Sequence, residues 1–370
     1  MRILPAARVH IVLLAGLAAL VLGMLFLWSG IYSVAASRGH WAVTEWFLTF
    51  VMRNSVKTHA LSIEAPQLDN ADLVALGAAH FHGCCAYCHG APGIPISPIA
   101  QAMLPPPPNL ANDMRPWRDR ELFWIIRNGI KYTGMPAWSA QQRDDEVWAL
   151  TAFVRRLPSL DATRYRELAL GGLRVPPQSG ESLATSETTA PAIGACARCH
   201  GAEQSRPASS LVPILHGQPE QFIVNSLEAY AGAQRASGIM QPVARALSHD
   251  DFRRAASYYA SLRMPPPPQE SRDASAIERG RIITLSGDPG SRIPACMGCH
   301  GEDALQSYPR LAGQSRPYML HRMRLWKSGL VPGTASESIM APIARALNDS
   351  QMEDVAAYYA SGDLSAGKLR

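Results

Sequence analysis

The pattern Cys-x-x-Cys-His occurs three times and constrains this chain more than any other feature. The three copies are Cys85-Ala86-Tyr87-Cys88-His89, Cys196-Ala197-Arg198-Cys199-His200 and Cys296-Met297-Gly298-Cys299-His300. They use six of the seven cysteines, and a glycine follows each copy. Two thiols one helical turn apart with a histidine directly after them suit a redox disulfide, a zinc site or covalent attachment of a porphyrin.

Porphyrin attachment accounts for every position of the pattern. The two thiols form thioethers to the two vinyl groups of one c-type haem, and the histidine lies below the iron as its proximal ligand. A redox or zinc site would need no histidine after the second cysteine in all three copies. The sequence therefore predicts three covalently bound haem c groups with iron. The predicted attachment residues are Cys85, Cys88, Cys196, Cys199, Cys296 and Cys299, and the predicted proximal ligands are His89, His200 and His300.

Three methionines are predicted as the second axial ligands because they recur at one place after their motifs. Met135 lies in Gly-Met-Pro-Ala-Trp, and Met240 and Met340 lie in near-identical copies of Met-x-Pro-x-Ala-Arg-Ala-Leu. Methionine with histidine closes both faces of the iron and gives a high-potential centre. Most of the other methionines are expected to fill the core, and Met114 is the main competitor of Met135.

A Pro-x-Leu element recurs between the two ligands of each set. Its copies are Pro108-Asn109-Leu110, Pro213-Ile214-Leu215 and Pro309-Arg310-Leu311. A proline carbonyl beside the proximal histidine would accept its ring N–H, which fixes the tautomer and raises the basicity of the ligand. A plain turn is the alternative interpretation, and the four consecutive prolines 105–108 leave the choice of residue open in the first copy.

The chain outside the motifs has helical patterns and no strand-period runs, so we expect an all-α fold. Asn348 with Gln351, and Ser248 with Asp251, resemble capping boxes at helix starts. Composition shifts and the repeats predict seven segments. These are an N-terminal membrane anchor at 1–36, an interfacial or connector segment at 37–65, haem domains at 66–160, 191–264 and 276–364, a linker at 161–190 and a proline-rich linker at 265–275.

The N-terminus carries an uncharged apolar run from Ile11 to Trp28, preceded by Arg2 and Arg8. A run of this length crosses a membrane as a helix, and the positive charges place the N-terminus in the cytoplasm. A cleaved signal peptide is the alternative, and both interpretations export the chain. The aromatic residues that follow predict a short helix that lies at the membrane surface or packs on the first haem domain. They are Trp41, Trp46, Phe47 and Phe50.

On these motifs each repeat resembles a class I cytochrome c domain. The second and third repeats together resemble two-haem cytochromes of the c4 type, and the first resembles single-haem domains with a Gly-Met-Pro-Ala-Trp loop. The resemblance covers residues 70–362 and implies three tandem class I cytochrome c domains behind one N-terminal transmembrane helix. The chain is also similar to three-haem subunits of membrane alcohol or gluconate dehydrogenases. Those are usually anchored at the C-terminus, whereas residues 362–370 here are polar.

The sequence therefore predicts an electron carrier and not an enzyme. We expect it in the bacterial inner membrane as a single-pass protein with periplasmic haem domains. It would pass single electrons along a respiratory chain towards a terminal oxidase. The alternative is the cytochrome subunit of a periplasmic dehydrogenase, and a haem enzyme such as a peroxidase is disfavoured by the three methionines. Its partners would be redox proteins and the membrane. A net charge of +5 without a Lys/Arg block argues against nucleic acid.

Two sets of residues stand outside this pattern. Cys84 is out of frame with the first motif, so we expect a buried bystander, with an intermolecular disulfide as the alternative. Five histidines outside the motifs are expected to be surface or packing residues. They are His80, His82, His216, His249 and His321.

Overall fold

The computed structural model describes residues 6–112, 117–171, 192–203, 205–266, 273–301, 305–329 and 334–362. These residues are mostly helical, and the extended pairings among them are two isolated bridges, Ala91 with Ile94 and Asp288 with Ile293. The all-α prediction is confirmed for this part of the chain. Five features named above lie outside the described residues: Arg2, Met114, positions 172–190 of the predicted linker, positions 267–272 of the proline-rich linker, and the polar end from 363 onwards.

The N-terminal part consists of two helices, α1 (Ala6–Trp28) and α2 (Ala42–His59). The stretch Arg8–Trp28 of α1 is long and apolar enough to cross a membrane, and none of it is buried. Between the helices the ring of Trp41 lies 5.9 Å from that of Phe26, measured between centroids. An aromatic cluster therefore marks the end of the apolar helix.

The remaining helices form three groups, one around each copy of the motif. The first helix group is α3 (Ala71–Cys84), α4 (Ala86–His89), α5 (Pro98–Gln101), α6 (Asp119–Asn128), α7 (Asp144–Arg156) and α8 (Ala162–Leu170). The second is α9 (Ala192–His200), α10 (Glu220–Ala231), α11 (Met240–Arg245) and α12 (His249–Ser261). The third is α13 (Ala274–Ser286), α14 (Met297–His300), α15 (Arg316–Ser328), α16 (Ala335–Ala346) and α17 (Asp349–Ala360).

Helix α2 has two different halves. Its aromatic residues near the start are exposed, and they are Trp46, Phe47 and Phe50. Towards its end Val56 is buried, and the ring of His59 stacks on Trp124 of α6 at 5.8 Å between centroids. The end of the helix therefore packs on the first helix group, as one of the two expectations has it, and its start presents aromatic side chains outward.

In the first and third groups the helix before the motif crosses the helix that ends the repeat, and a glycine lies at each crossing. A Cβ atom on Gly77 of α3 would lie 2.1 Å from the carbonyl oxygen of Ala149 in α7. A Cβ atom on Gly280 of α13 would lie 1.9 Å from the carbonyl oxygen of Asp354 in α17. The two backbones approach so closely that only glycine fits.

Helix α8 extends the first group beyond the predicted boundary at residue 160. Tyr165, Ala169 and Leu170 are buried in the same core as Phe81 and Phe153. Packing therefore continues to the end of α8, so residues 161–170 of the predicted linker belong to the first helix group.

The helix ends follow the signals in the sequence. Asn348 accepts a hydrogen bond from the amide of Gln351, whose side chain accepts one from the amide of Asn348. Ser248 and Asp251 form the same reciprocal pair at the start of α12. Each box satisfies two amides that the helix itself leaves free, so both predicted starts are confirmed.

The second and third groups are joined by two reciprocal glutamine contacts. Gln314 bonds both backbone groups of Ile214, accepting from its N–H at 2.9 Å and donating to its carbonyl at 3.0 Å. Gln218 does the same to Arg310, at 2.9 Å and 2.7 Å. Ile214 and Arg310 are the middle residues of the Pro-x-Leu elements. The interface therefore places the two elements back to back.

Candidate haem-binding sites

Each Cys-x-x-Cys-His copy lies on one helical turn at a helix end. The first spans the junction of α3 and α4, the second ends α9, and the third lies in and just before α14. The amide of His89 bonds the carbonyl of Cys85 at 2.9 Å, and that of His300 bonds Cys296 at the same distance. None of the six motif cysteines, all of which the structure describes, is joined in a disulfide or fully buried. The turn thus presents two thiols and an imidazole together, as thioether attachment requires.

The reason for a glycine after the motif differs between the copies. Gly90 and Gly201 have φ angles of +65° and +75°, which turn the backbone away from the motif. Gly301 has an extended backbone, and a Cβ atom there would lie 2.7 Å from the carbonyl oxygen of Met297. The third copy therefore needs glycine because of a close approach and not because of a left-handed turn.

The three motif histidines make the same hydrogen bond. Nδ1 of His89 lies 3.0 Å from the carbonyl oxygen of Pro108, that of His200 lies 3.0 Å from Pro213, and that of His300 lies 2.9 Å from Pro309. The prediction for the Pro-x-Leu element is confirmed, and Pro108 is the residue used in the first copy. Because a carbonyl only accepts, Nδ1 carries the proton and Nε2 keeps its lone pair for a metal.

The protonation state of these imidazoles suits a metal ligand. Burial lowers the pKa of His89, His200 and His300 below the ordinary histidine value. Taking a charged group out of water disfavours its charged form, so the neutral ring is stabilised. Donor set, tautomer and charge all fit an iron porphyrin bound on the Nε2 side.

The predicted methionine ligands are half-buried and lie in differently built segments. The amide of Met135 bonds Oγ1 of Thr133 at 3.1 Å in the loop between α6 and α7. Met240 begins α11 and packs against the core of the second group. Met340 lies inside α16, two residues before Pro342.

Two buried tyrosines hold the Gly-Gln turns of the second and third groups, and Tyr259 also bonds the glycine after the second motif; the sequence reasoning missed these roles. The carbonyl of Tyr259 accepts from the amide of Gly217 at 2.9 Å, and its hydroxyl donates to the carbonyl of Gly201 at 2.8 Å. The carbonyl of Tyr359 accepts from Gly313 at 2.8 Å. The recurring tyrosine pairs and Gly-Gln turns were visible in the sequence, but nothing there shows that they touch.

Cys84 is exposed at the end of α3, so the expectation of a buried bystander was wrong. Its helix ends against the second group, where a guanidinium nitrogen of Arg198 would lie 2.6 Å from a Cβ atom on Gly83. The guanidinium of the second motif therefore occupies the space beside the end of α3.

The histidines outside the motifs take packing or surface positions, as expected. His80 and His216 are buried, and His249 is exposed. His82 pairs with the hydroxyl of Tyr165 at 3.0 Å, and His321 with a carboxylate oxygen of Asp145 at 2.9 Å.

Comparison with known proteins gives matches at both ends of the haem-bearing region. The family model described as cytochrome C oxidase, cbb3-type, subunit III matches residues 72–154, and the cytochrome c model matches residues 288–362. A thiosulfate dehydrogenase electron acceptor from Thiomonas intermedia (strain K12) is 32% identical, over 48% of this chain and 83% of that protein. One from Stutzerimonas stutzeri (strain A1501) is 31% identical, over 49% and 85%. A cytochrome c4 from Thiocapsa roseopersicina is 30% identical, over 49% and 90%.

Helical fold, motif geometry and these relatives define the class of the molecule. The chain belongs to the cytochrome c family, as a multihaem class I c-type cytochrome with cytochrome c4 among its relatives. Membership of this family implies covalently bound haem c with iron.

Proposed function

We propose that the chain is a membrane-anchored three-haem cytochrome that carries single electrons in a periplasmic respiratory chain. The observation that carries this proposal is the identical histidine-to-proline hydrogen bond at all three motifs. A redox disulfide would not need an imidazole fixed in one tautomer, and a zinc site would not need that imidazole directly after two thiols in all three copies. The haem supplies the one-electron chemistry when bound, and the protein supplies burial, ligation and spacing.

The proposed ligand sets pair each motif with the methionine that follows it. Cys85 and Cys88 hold the first haem, with His89 and Met135 as axial ligands. The second haem takes Cys196, Cys199, His200 and Met240, and the third takes Cys296, Cys299, His300 and Met340. The haem domains follow the predicted boundaries, with the first extended through α8 because Tyr165 and Leu170 belong to its core.

The proposed anchor is α1, with the N-terminus in the cytoplasm and the haem domains in the periplasm. Arg2 and Arg8 precede the apolar stretch, which agrees with the positive-inside rule. The exposed aromatic residues at the start of α2 suit the boundary between lipid and water, where amphipathic rings accumulate. The packed end of α2 would then hold the first haem domain close to the membrane surface.

Two routes for the electrons have support. The match of residues 72–154 to an oxidase-subunit model favours passage towards a terminal oxidase. Two relatives are named electron acceptors of a dehydrogenase, which favours a periplasmic dehydrogenase as the donor. A dehydrogenase subunit role is the second candidate, and the two routes are compatible in one chain of transfer. Three methionines at the sixth positions disfavour a peroxidase, which needs an open site.

The ligand sets are tested by the near-infrared sulfur-to-iron band of the ferric protein. Met135→Ala, Met240→Ala and Met340→Ala should each remove about a third of its intensity, because each leaves one iron without thioether ligation. A variant with an unaltered band would refute that methionine as a ligand. Peroxide turnover by the unmodified protein would instead favour a haem enzyme.

A further inference from the structure

Glu146 of α7 is a buried carboxylate in the first helix group that faces the second. Its residue is 3% exposed, and its carboxylate lies 2.9 Å from the guanidinium of Arg143 one turn earlier. Arg143 also reaches across, donating to the carbonyl of Ala236 at 2.8 Å. A buried charge is costly unless it is paired and hydrogen-bonded. These contacts therefore compensate the cost of burying Glu146 and fix its side chain in place.

The two oxygens of the carboxylate also accept hydrogen bonds from the loop that precedes Met240. One oxygen accepts from the hydroxyl of Ser237 at 2.6 Å, and the other accepts from the amide of Gly238 at 2.6 Å. The hydroxyl of Ser237 in turn accepts from the amide of Met240 at 3.0 Å. Two hydrogen bonds thus connect Glu146 to the backbone of the proposed ligand.

The loop that carries Met135 meets the same point. The indole N–H of Trp138, three residues after Met135, lies 3.3 Å from the second carboxylate oxygen. Its ring packs on Gly238 so closely that a Cβ atom there would lie 2.1 Å from the indole. The two methionine loops therefore touch each other, with Glu146 bonded to both.

The loop of Met240 is also held from the third group. Arg235 forms an ion pair at 3.1 Å with Glu337, which lies on α16 with Met340. In contrast, the amide of Met135 is held by Thr133 within its own loop. The second methionine loop differs from the first in being fixed by charged side chains of both neighbouring groups.

We propose that Glu146 is a positioning residue for the second haem: through Ser237 it fixes the Met240 loop and so maintains the iron–sulfur bond from outside that haem's own helix group. This inference rests on the proposed function, in which Met240 is a ligand. A methionine ligand raises the reduction potential, so loosening the loop lowers the potential of the second haem more than that of the other two.

The test is a redox titration of the full-length, haem-loaded protein with four single variants and one double variant. Met240→Ala first identifies which of the three potentials belongs to the second haem. Glu146→Gln places a donor NH2 where one acceptor oxygen lay, so the hydrogen bond from Gly238 is lost or the one from Ser237 is reversed, and we expect that same potential to fall more than the other two. Ser237→Ala, which leaves the ion pair of Glu146 with Arg143 intact, should shift it in the same direction. The matched control Asp144→Asn removes an exposed carboxylate two residues earlier and should shift none.

Two outcomes distinguish a failure of the role of Glu146 from a failure of the assignment of Met240 as a ligand. If Met240→Ala removes its share of the near-infrared band but neither Glu146→Gln nor Ser237→Ala moves the second potential, the role of Glu146 is refuted and the ligand assignment stands. If Met240→Ala leaves the band intact, the ligand assignment itself fails. The double variant of Glu146 and Ser237 should show no further shift, because both changes break one connection. Ser237→Ala carries the test if Glu146→Gln does not accumulate.

Discussion

The proline that bonds the motif histidine has the same role in all three copies, but its neighbours in the chain differ. A proline carbonyl accepts a hydrogen bond from each motif imidazole. Pro108 is the last of four consecutive prolines, whereas Pro213 and Pro309 directly precede Ile214 and Arg310, the residues that the glutamine side chains bond between the second and third groups. Fixing the ring would orient the proposed ligand before iron is bound. Another imidazole, that of His80, is buried for packing and bears on stability instead.

His80 should make folding sensitive to acid. Burial, and then the positive charge of Arg198, lower the pKa of His80 from 6.5 to about 4. Between these two pKa values the unfolded chain binds more protons than the folded one. The contribution of the neutral His80 to stability is therefore fully present above pH 6.5 and is lost as the pH falls from 6.5 to about 4. His80→Phe should abolish roughly 3 kcal/mol of this decline. Denaturant unfolding of both proteins at neutral pH and near pH 4 measures the difference. The exposed His249→Phe is the control, and equal declines in wild type and His80→Phe would contradict the account.

At the level of helices, the molecule repeats one arrangement with variations. In the first and third groups the helix before the motif crosses the last helix at a glycine, α3 on α7 and α13 on α17. The second group has no helix before its motif among the described residues, since α9 contains the motif itself. The tyrosines of α12 and α17 tie the last helix to the Gly-Gln turn in both later groups.

Gly280→Ala should destabilise the third group strongly. A Cβ atom 1.9 Å from the carbonyl oxygen of Asp354 forces α13 away from α17, and overpacking of this kind costs about 1–3 kcal/mol or more. Denaturant unfolding measures the loss. The control is Gly194→Ala in α9, where nothing lies within 4 Å, and where alanine should stabilise the helix slightly. Equal stability of the two variants would contradict the proposed crossing.

The sequence predicted what depends on local chemistry. The capping residues Asn348 and Ser248 carry their own signal, because their side chains bond amides within three residues. The sequence analysis placed α8 in a linker because it took the composition of residues 161–190 as a whole. The Ser/Thr/Gly/Pro-rich stretch begins only after α8, so this average concealed the buried Tyr165. Glu146 gave no signal at all: its partner Ser237 is far along the chain, and only the packing of two groups brings them together.

Over the whole molecule, the contacts between helix groups determine how the motifs face one another. The second and third groups meet through Gln218 and Gln314, and the first meets the second where α7 contacts the Met240 loop. The carboxylate of Asp72 in α3 also accepts a hydrogen bond from the amide of Ser210 at 2.7 Å. Electron transfer falls steeply with distance, so these contacts would determine the rates between haems.

Gln314→Leu should weaken the junction of the second and third groups. Both backbone groups of the buried Ile214 lose their partner, and an unsatisfied buried polar group costs about 1–3 kcal/mol. Denaturant unfolding of the haem-loaded protein measures this loss. Gln221→Ala is the matched control, because that glutamine is exposed on α10 and bonds only Asn225 in its own helix. A Gln314 variant as stable as the control would show that the reciprocal contacts do not hold the groups together.

The central claim is that each of the three motifs binds one haem covalently. The intact mass of the purified, full-length protein tests this most directly, with Cys→Ala pairs at each motif to assign the adducts. The account predicts three haem adducts in the unmodified protein, and loss of one adduct for each pair, Cys85 with Cys88, Cys196 with Cys199, or Cys296 with Cys299. A mass with two adducts or fewer, or a pair whose replacement removes none, would contradict it.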